Sequence, residues 1–284
     1  MNYLLALLLS LVGIGEPPAA MPARGGDGAV TIPLDKAGSG PPLPAVTRAR
    51  GDNPPLVVID AGHGGKDPGA TAPVGGTEEK DVTLALARSI RDELAASGRV
   101  RAALTREDDR FIPLADRYAI ARRLGADLFI SIHADAAPSN NAARGATIYT
   151  LSEVASDREA ALLAQQQNAA DAIAGAAMSQ DANVNLILID LAQRESMDVS
   201  ARFAQLLYRE AAPLFPFQQD WHRFAAFVVL KAPDVPSVLF EAGYMSNPED
   251  ARYLSSDEGR REIATGLRRA IEAHFARRFV AARP

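Results

Sequence analysis

The chain has 284 residues, 48% hydrophobic and 23% charged, which is enough to bury one sizeable core. Its formal net charge of −5 provides no basic surface for a phosphate backbone, which argues against nucleic-acid binding. It contains no cysteine, so disulfides, thiolate metal sites and cysteine nucleophiles are excluded. Any metal must therefore be held by histidine and carboxylate side chains.

The N-terminus carries an apolar run from Leu4 to Ile14, followed by small residues, which is typical of a secretory signal peptide. The run is too short to span a bilayer. No Lys or Arg precedes Leu4, which leaves open a start codon further upstream, and a buried or frayed N-terminal helix is the alternative. We predict a signal peptide over 1–23, a Pro/Gly/Ala-rich flexible linker over 24–55, and a periplasmic or secreted protein with no transmembrane anchor after cleavage.

From residue 56 onward, short β-rich runs alternate with helical stretches. We predict strands over 56–60, 99–105, 127–132, 146–149, 225–230 and 235–240, and helices over 79–97, 113–124 and 257–275. Strands that alternate with helices form mostly parallel sheets. The sequence therefore predicts an α/β fold, with a mostly parallel twisted sheet covered by helices on both faces, in a catalytic domain over 56–278.

Three residues able to bind metal or transfer protons directly follow buried strands: His63, His133 and Glu241. In such sheets, ligands bind at the carboxyl ends of the strands. A single strand-end histidine is more often structural, but two of them in a cysteine-free chain favour a pair of metal ligands. His222 and His274 lack this context and are interpreted as structural or surface residues.

Two carboxylates, Glu78 and Glu79, begin the first predicted helix and are candidates for a third ligand. The buried stripe of this helix consists of Val82, Leu86, Ile90 and Leu94. A step of three residues back from Val82 reaches Glu79, whereas Glu78 is turned about 100° away from the stripe. A carboxylate on an apolar face is unfavourable unless a positive partner such as a metal pairs with it. Glu78 fits a solvated first-turn acid.

We therefore expect His63, Glu79 and His133 to hold one Zn²⁺ per chain with a fourth position left for water. Glu241 would lie beside that water as a general base. A glutamate that merely ends a strand near solvent is the alternative for Glu241.

With these residues assembled, the chain resembles the zinc-dependent N-acetylmuramoyl-L-alanine amidases of the Amidase_3 family, which includes amidases that separate daughter cells. The matching stretches are VIDAGHGGKDPGA from Val58 to Ala70, Glu79-Lys80, Leu104 to Arg106, SIHAD from Ser131 to Asp135, and VPSVLFEAGYMSN from Val235 to Asn247. They follow one another in order with suitable gaps.

The resemblance implies that His63, Glu79 and His133 are zinc ligands and that Glu241 is the catalytic acid–base. It also implies that the substrate is peptidoglycan, cut between the muramoyl lactyl group and the L-alanine of the stem peptide. A zinc peptidase on a related sheet is the alternative enzyme, and a catalytically silent wall-binding module is the alternative from another class. A serine hydrolase is disfavoured because no Gly-x-Ser-x-Gly motif occurs.

A segment over 152–193 resembles the regulatory insertion of the division-associated amidases, where a helix covers the zinc until a LytM-like activator of the EnvC or NlpD kind binds. Its alanine-rich helical run has few large anchoring side chains, which favours a helix that is easily displaced. The family usually has glutamate where this chain has Gln167. A neutral amide at a plug position predicts weaker zinc binding and a leaky closed state, and an ordinary surface helical hairpin is the alternative.

Overall fold

The computed structural model describes residues 42–134, 136, 143–173, 175 and 186–281. The predicted signal peptide and most of the predicted linker lie outside these residues, as does part of the predicted insertion. No helix in the described part of the chain is long and apolar enough to cross a membrane.

A six-stranded sheet forms the centre of the fold, with strand order β2-β1-β3-β6-β4-β5. The strands are β1 (Leu56–Ala61), β2 (Arg101–Leu104), β3 (Leu128–His133), β4 (Ala146–Leu151), β5 (Phe217–Ala225) and β6 (Ser237–Glu241). All neighbouring pairs are parallel except β4 and β6, which are antiparallel. The prediction of a mostly parallel sheet is confirmed. Because β1, β3 and β6 run in the same direction, their carboxyl ends meet at one edge.

The three strands that end at this edge are buried along their whole length. Burial on both faces explains their near-continuous apolar sequences, since helices cover each side of the sheet. A first apolar cluster joins one face to the helices α1 (Glu79–Ser97), α5 (Leu186–Ala211) and α7 (Asp257–Ala281). A second cluster joins the other face to α2 (Leu114–Arg123) and α3 (Arg158–Asn168). The prediction of helices on both faces is therefore also confirmed.

One predicted strand is wrong, and two elements of the structure were not predicted. The strand predicted over 225–230 is wrong, because β5 ends at Ala225 and Val228–Leu230 forms a 3-10 turn. The apolar side chains of that turn are buried in the second cluster, so an apolar run was mistaken for a strand. Sequence reasoning also missed the body of β5, whose polar FQQDWHRFA sequence shows no regular alternation, and the short helix α6 (Pro248–Ser255).

The end of the predicted flexible linker is docked on the domain. Thr47 pairs with Ala102 of β2, since the Thr47 amide donates to the Ala102 carbonyl at 2.9 Å and the Thr47 hydroxyl accepts from the Ala102 amide at 2.8 Å. The amide of Arg50 donates to the carbonyl of Gly98 at 2.8 Å. This end of the linker therefore contacts the domain, and Thr47 covers part of the edge of β2 that would otherwise be open.

The described part of the predicted insertion forms α3, a short helix α4 (Ala170–Ile173) and the start of α5. Asp157 caps α3 by accepting from the Ala160 amide at 2.9 Å. At the other end, the Asn168 side chain donates to Ala226 O at 2.9 Å and accepts from Val228 N at 2.8 Å. The helix is thus held at both ends by hydrogen bonds.

Candidate metal centre

His63 follows β1 and lies at the sheet edge where β1, β3 and β6 end. It is the one non-glycine residue in the described part of the chain with a positive φ, 61°. Its Nδ1 atom lies 2.9 Å from Oδ2 of Asp67, which is also buried. A carboxylate behind a histidine fixes the ring orientation and its tautomer, so that the other ring nitrogen, Nε2, is free to act as a ligand.

His133 ends β3 and Glu79 begins α1, and both side chains point to the same place as His63. Oε1 of Glu79 lies 3.1 Å from His63 Nε2 and 3.3 Å from His133 Nδ1. Glu79 is completely buried, and both histidines are less than 8% exposed. Glu79 lies on the buried side of α1, as the helix phase predicts, whereas Glu78 is a half-exposed residue that pairs with Lys80. No other group of histidine and acidic side chains among the described residues converges in this way.

The donor geometry fits a metal ion. Neither His63 Nε2 nor His133 Nδ1 has a hydrogen-bond partner of suitable geometry among the described residues, although both are buried. Bonds of ~2.0–2.1 Å in a tetrahedral site place neighbouring ligand atoms ~3.3 Å apart, which is close to the two distances from Glu79 Oε1 to the histidine nitrogens. The triad is able to hold a metal ion.

Backbone contacts fix the carboxylate of Glu79. Its Oε2 accepts from the Ala70 amide at 2.9 Å, and its Oε1 accepts from the Ala134 amide at 2.8 Å. A Cβ at Gly69 would lie 2.6 Å from Oε2 of Glu79 and 2.8 Å from Cδ2 of His63. Glycine is therefore required at position 69, because the loop passes directly over two of the three donors.

Two buried arginines hold the loop that carries His63. Arg106 donates to the carbonyls of Ala61 at 3.0 Å and Gly62 at 2.8 Å. Arg117 donates to the carbonyls of Ala61 at 2.8 Å and His63 at 3.0 Å, and also to Oδ1 of Asp60 at 3.1 Å. Sequence reasoning did not identify these residues or Asp67 as parts of the site. The available signal was the position of Arg117 on the buried side of its helix, where a charge requires partners.

The charges of the metal-free triad are coupled. Burial opposes protonation of His63, but the carboxylates of Glu79 and Asp67 outweigh it and raise the pKa of His63 to about 10. Burial also opposes ionisation of Glu79, but His63 and His133 hold its pKa well below its usual range. Burial lowers the pKa of His133. The site therefore carries a proton on His63 that a metal ion would have to displace.

Glu241 ends β6 and lies in register with His133 of β3 and opposite Thr147 of β4. It is completely buried. Burial and the negative charge of Glu241 raise the pKa of Tyr244. Burial, with smaller contributions that include Glu241, also raises the pKa of Tyr149. The carboxylate of Glu241 thus lies on β6, next to the strand β3 that carries His133. The nearby phenols of Tyr149 and Tyr244 stay protonated because their pKa values are raised.

The remaining histidines lie apart from the triad. Nε2 of His222 lies 3.0 Å from the Thr150 hydroxyl, and the ring of His274 packs edge-on against Phe203. Neither joins a group of potential metal ligands among the described residues. Gln167 lies in the last turn of α3 and is buried.

A His–Glu–His donor set at the carboxyl edge of an α/β sheet, with a further glutamate beside it, is the arrangement of a mononuclear metal-dependent hydrolase. Comparison with known proteins gives the family. Residues 57–273 match the Amidase_3 family, described as N-acetylmuramoyl-L-alanine amidase. The chain belongs to this family.

Individual relatives agree with this assignment. The chain is 39% identical over 240 residues to the N-acetylmuramoyl-L-alanine amidase AmiC of Neisseria meningitidis, covering 83% of this chain and 57% of that protein. It thus spans little more than half the length of this relative. It is 39% identical over 244 residues to AmiA of Escherichia coli K12, covering 85% of this chain and 83% of AmiA. Among solved structures, AmiC2 of Nostoc punctiforme is 28% identical with a TM-score of 0.56, covering 80% of this chain and 99% of that one.

Proposed function

We propose that this protein is a zinc-dependent N-acetylmuramoyl-L-alanine amidase that cleaves the amide between the muramoyl lactyl group and the L-alanine of the peptidoglycan stem peptide. The observation that carries the proposal is the convergence of three buried donor atoms within 4.8 Å of one another, with Glu241 in register beside them. Membership of the Amidase_3 family supports the choice of substrate and bond.

His63, Glu79 and His133 would hold the zinc ion. Two imidazole nitrogens and one carboxylate oxygen are a donor set typical of catalytic zinc. When bound, zinc polarises a carbonyl oxygen and lowers the pKa of a water molecule to near 7. Asp67 keeps the proton of His63 on Nδ1, so that Nε2 stays available as a donor.

Glu241 would move the proton. Its carboxylate accepts a proton from the attacking water and delivers it to the nitrogen of the departing alanine, which would otherwise leave as an unstable amide anion. Its burial at the strand end, in register with His133, supports this role.

Digestion of purified sacculi tests the proposal against its alternatives. An amidase releases stem peptides that begin with L-alanine and leaves glycan strands with intact lactyl groups. A peptidase instead leaves L-alanine attached to the glycan, and a wall-binding module releases nothing. Mass analysis of the fragments distinguishes the three outcomes, and the matched control is Glu241→Gln. Fragments cut within the stem peptide would overturn the amidase assignment.

We place the protein outside the cytoplasmic membrane, because its proposed substrate lies there and the N-terminal sequence is typical of a signal peptide. N-terminal sequencing of the protein from the cell envelope checks this location. We expect a mature chain that starts after the Ala19 to Ala23 region, and an intact Met1 on cytoplasmic protein would contradict it.

We further propose that the insertion over 152–193 restrains the enzyme and that a LytM-like activator relieves the restraint. Hydrogen bonds at the two ends of α3 support a helix that is held in place. Asn168→Ala removes the hydrogen bonds to Ala226 and Val228. We expect it to raise sacculus digestion without activator, whereas Gln165→Ala, on the exposed side of the same helix, serves as the control. Activity that is unchanged or lower in folded, zinc-loaded Asn168→Ala would contradict the restraint.

A further inference from the structure

Arg117 is a fully buried cation with no role in the chemistry described above. It lies in the second turn of α2 and is 1% exposed. Its guanidinium donates hydrogen bonds to four acceptors: Ile112 O at 2.9 Å, Asp60 Oδ1 at 3.1 Å, Ala61 O at 2.8 Å and His63 O at 3.0 Å. Three of the four acceptors belong to the end of β1 and to the metal-binding loop that follows it.

The surroundings hold the guanidinium in one position. Asp60, its carboxylate partner, also accepts from the hydroxyls of Thr105 at 2.6 Å and Ser131 at 2.7 Å, so it has no freedom to turn. Arg117 keeps the pKa of Asp60 low despite its complete burial. The helix that carries Arg117 is itself fixed at its start, where the Leu114 amide donates to Asp171 Oδ1 at 2.9 Å. A buried charge with this many defined partners is a rigid support.

His63 requires such a support because its backbone is strained. A φ of 61° is unfavourable for a residue with a side chain, and a conformation of this kind persists only where the surrounding structure fixes it. The Arg117 bond holds the carbonyl of His63, and with it the peptide group that follows this strained residue. The carbonyl of Gly62, on the other side of His63, accepts from Thr83 and Arg106, so the backbone is fixed on both sides of the strained residue.

We propose that Arg117 is a positioning residue for the metal centre: it holds the backbone of His63 in the left-handed conformation that directs Nε2 at the zinc position. The inference rests on the zinc site of the proposed function. It predicts that metal affinity depends on a side chain that touches neither the metal nor the substrate.

The test compares Arg117→Lys with Arg122→Lys. Both arginines lie on α2, but Arg122 donates to Oδ1 of Asp234 at 2.7 Å, which precedes β6 and lies away from the metal-binding loop. Zinc affinity is measured by competition with a chelator, and folding by circular dichroism and thermal melting. Loss of a partner behind a metal ligand typically weakens metal binding about 10–100-fold, and we expect Arg117→Lys to fall in this range. Arg122→Lys should leave zinc affinity unchanged. At saturating zinc, Arg117→Lys should lower kcat and leave KM unchanged.

A folded Arg117→Lys protein whose zinc affinity stays within about threefold of the wild type would overturn the inference. Equal losses in both variants would also overturn it, because they would reflect general destabilisation. If Arg117→Lys does not fold, Asp60→Asn replaces it, since this isosteric change removes the charge that anchors the guanidinium. Asp60→Asn should weaken zinc binding several-fold, and unchanged affinity would contradict the role of Arg117. A wild-type protein that binds no zinc would refute the proposed function instead.

Discussion

Gly62 lies between the two histidines of the triad, and adding one methyl group there should disable the site. A Cβ at this position would lie 2.4 Å from Cε1, 2.5 Å from Nε2 and 2.7 Å from Nδ1 of His133. Carbon atoms in contact are normally ~3.5–4.0 Å apart, so the ring of His133 would have to retreat by about 1 Å. Metal–ligand distances tolerate only about 0.2 Å.

The backbone of Gly62 has no freedom to move instead. Its amide donates to Ile132 O at 3.0 Å, and its carbonyl accepts from Thr83 Oγ1 and Arg106 Nη2, each at 2.8 Å. We therefore expect Gly62→Ala to weaken zinc binding and to lower turnover by about 100-fold or more. Global stability should fall by only about 1–3 kcal/mol, as is usual for overpacking.

Chelator competition and sacculus digestion measure these two effects, with thermal melting to follow folding. Gly266→Ala is the matched control, because its added Cβ would lie 3.0 Å from Ala211 Cβ and 3.1 Å from Phe215 Cε1, with no triad residue among its nearest neighbours. It should lower the melting temperature and keep zinc affinity. A Gly62→Ala protein that retains zinc binding and activity would refute the reasoning on the position of His133.

Two further predictions concern the charges of the site. Glu241→Gln should keep zinc and lose about 10²–10⁴-fold in turnover, because it removes the group that moves the proton, and metal analysis with a digestion assay checks both parts. Zinc binding to the metal-free site must displace the proton of His63, whose pKa is raised to about 10, so apparent zinc affinity should rise by up to about tenfold per pH unit between about pH 6 and 8. The same raised pKa stabilises the metal-free protein fully below the ordinary histidine value of 6.5, and this contribution is lost as pH rises towards about 10. Zinc affinity that does not change with pH would mean that His63 is not protonated in the metal-free site.

The three donors of the triad could be predicted from the sequence because each lies at a position defined by its own strand or helix. His63 and His133 directly follow or end apolar strands, and Glu79 continues the buried stripe of α1. These positions depend only on the direction of a strand and the period of a helix. The parallel sheet then brings the three residues together.

The supporting residues were not accessible in the same way. Asp67 and Arg106 acquire their roles from a loop that folds back over the triad, and no local pattern encodes that path. Arg117 did carry a signal, since it lies on the buried side of α2 just as Glu79 lies on that of α1. β5 was not predicted because its polar sequence has no regular alternation of apolar and polar residues. The strand forms by pairing with β4.

Hydrolysis of sacculi in water enriched in ¹⁸O tests the central claim most directly, because the label marks the carbonyl carbon that the water attacks. Cleavage by zinc and Glu241 at the proposed amide places one ¹⁸O atom in the lactyl carboxylate of the muramoyl product and none in the released stem peptide. Mass analysis of both fragments reads the position of the label. We predict label in the lactyl carboxylate of wild-type digests. Label in the carboxylate of the alanine residue would show that the L-alanyl bond is cut instead, and it would contradict the amidase assignment.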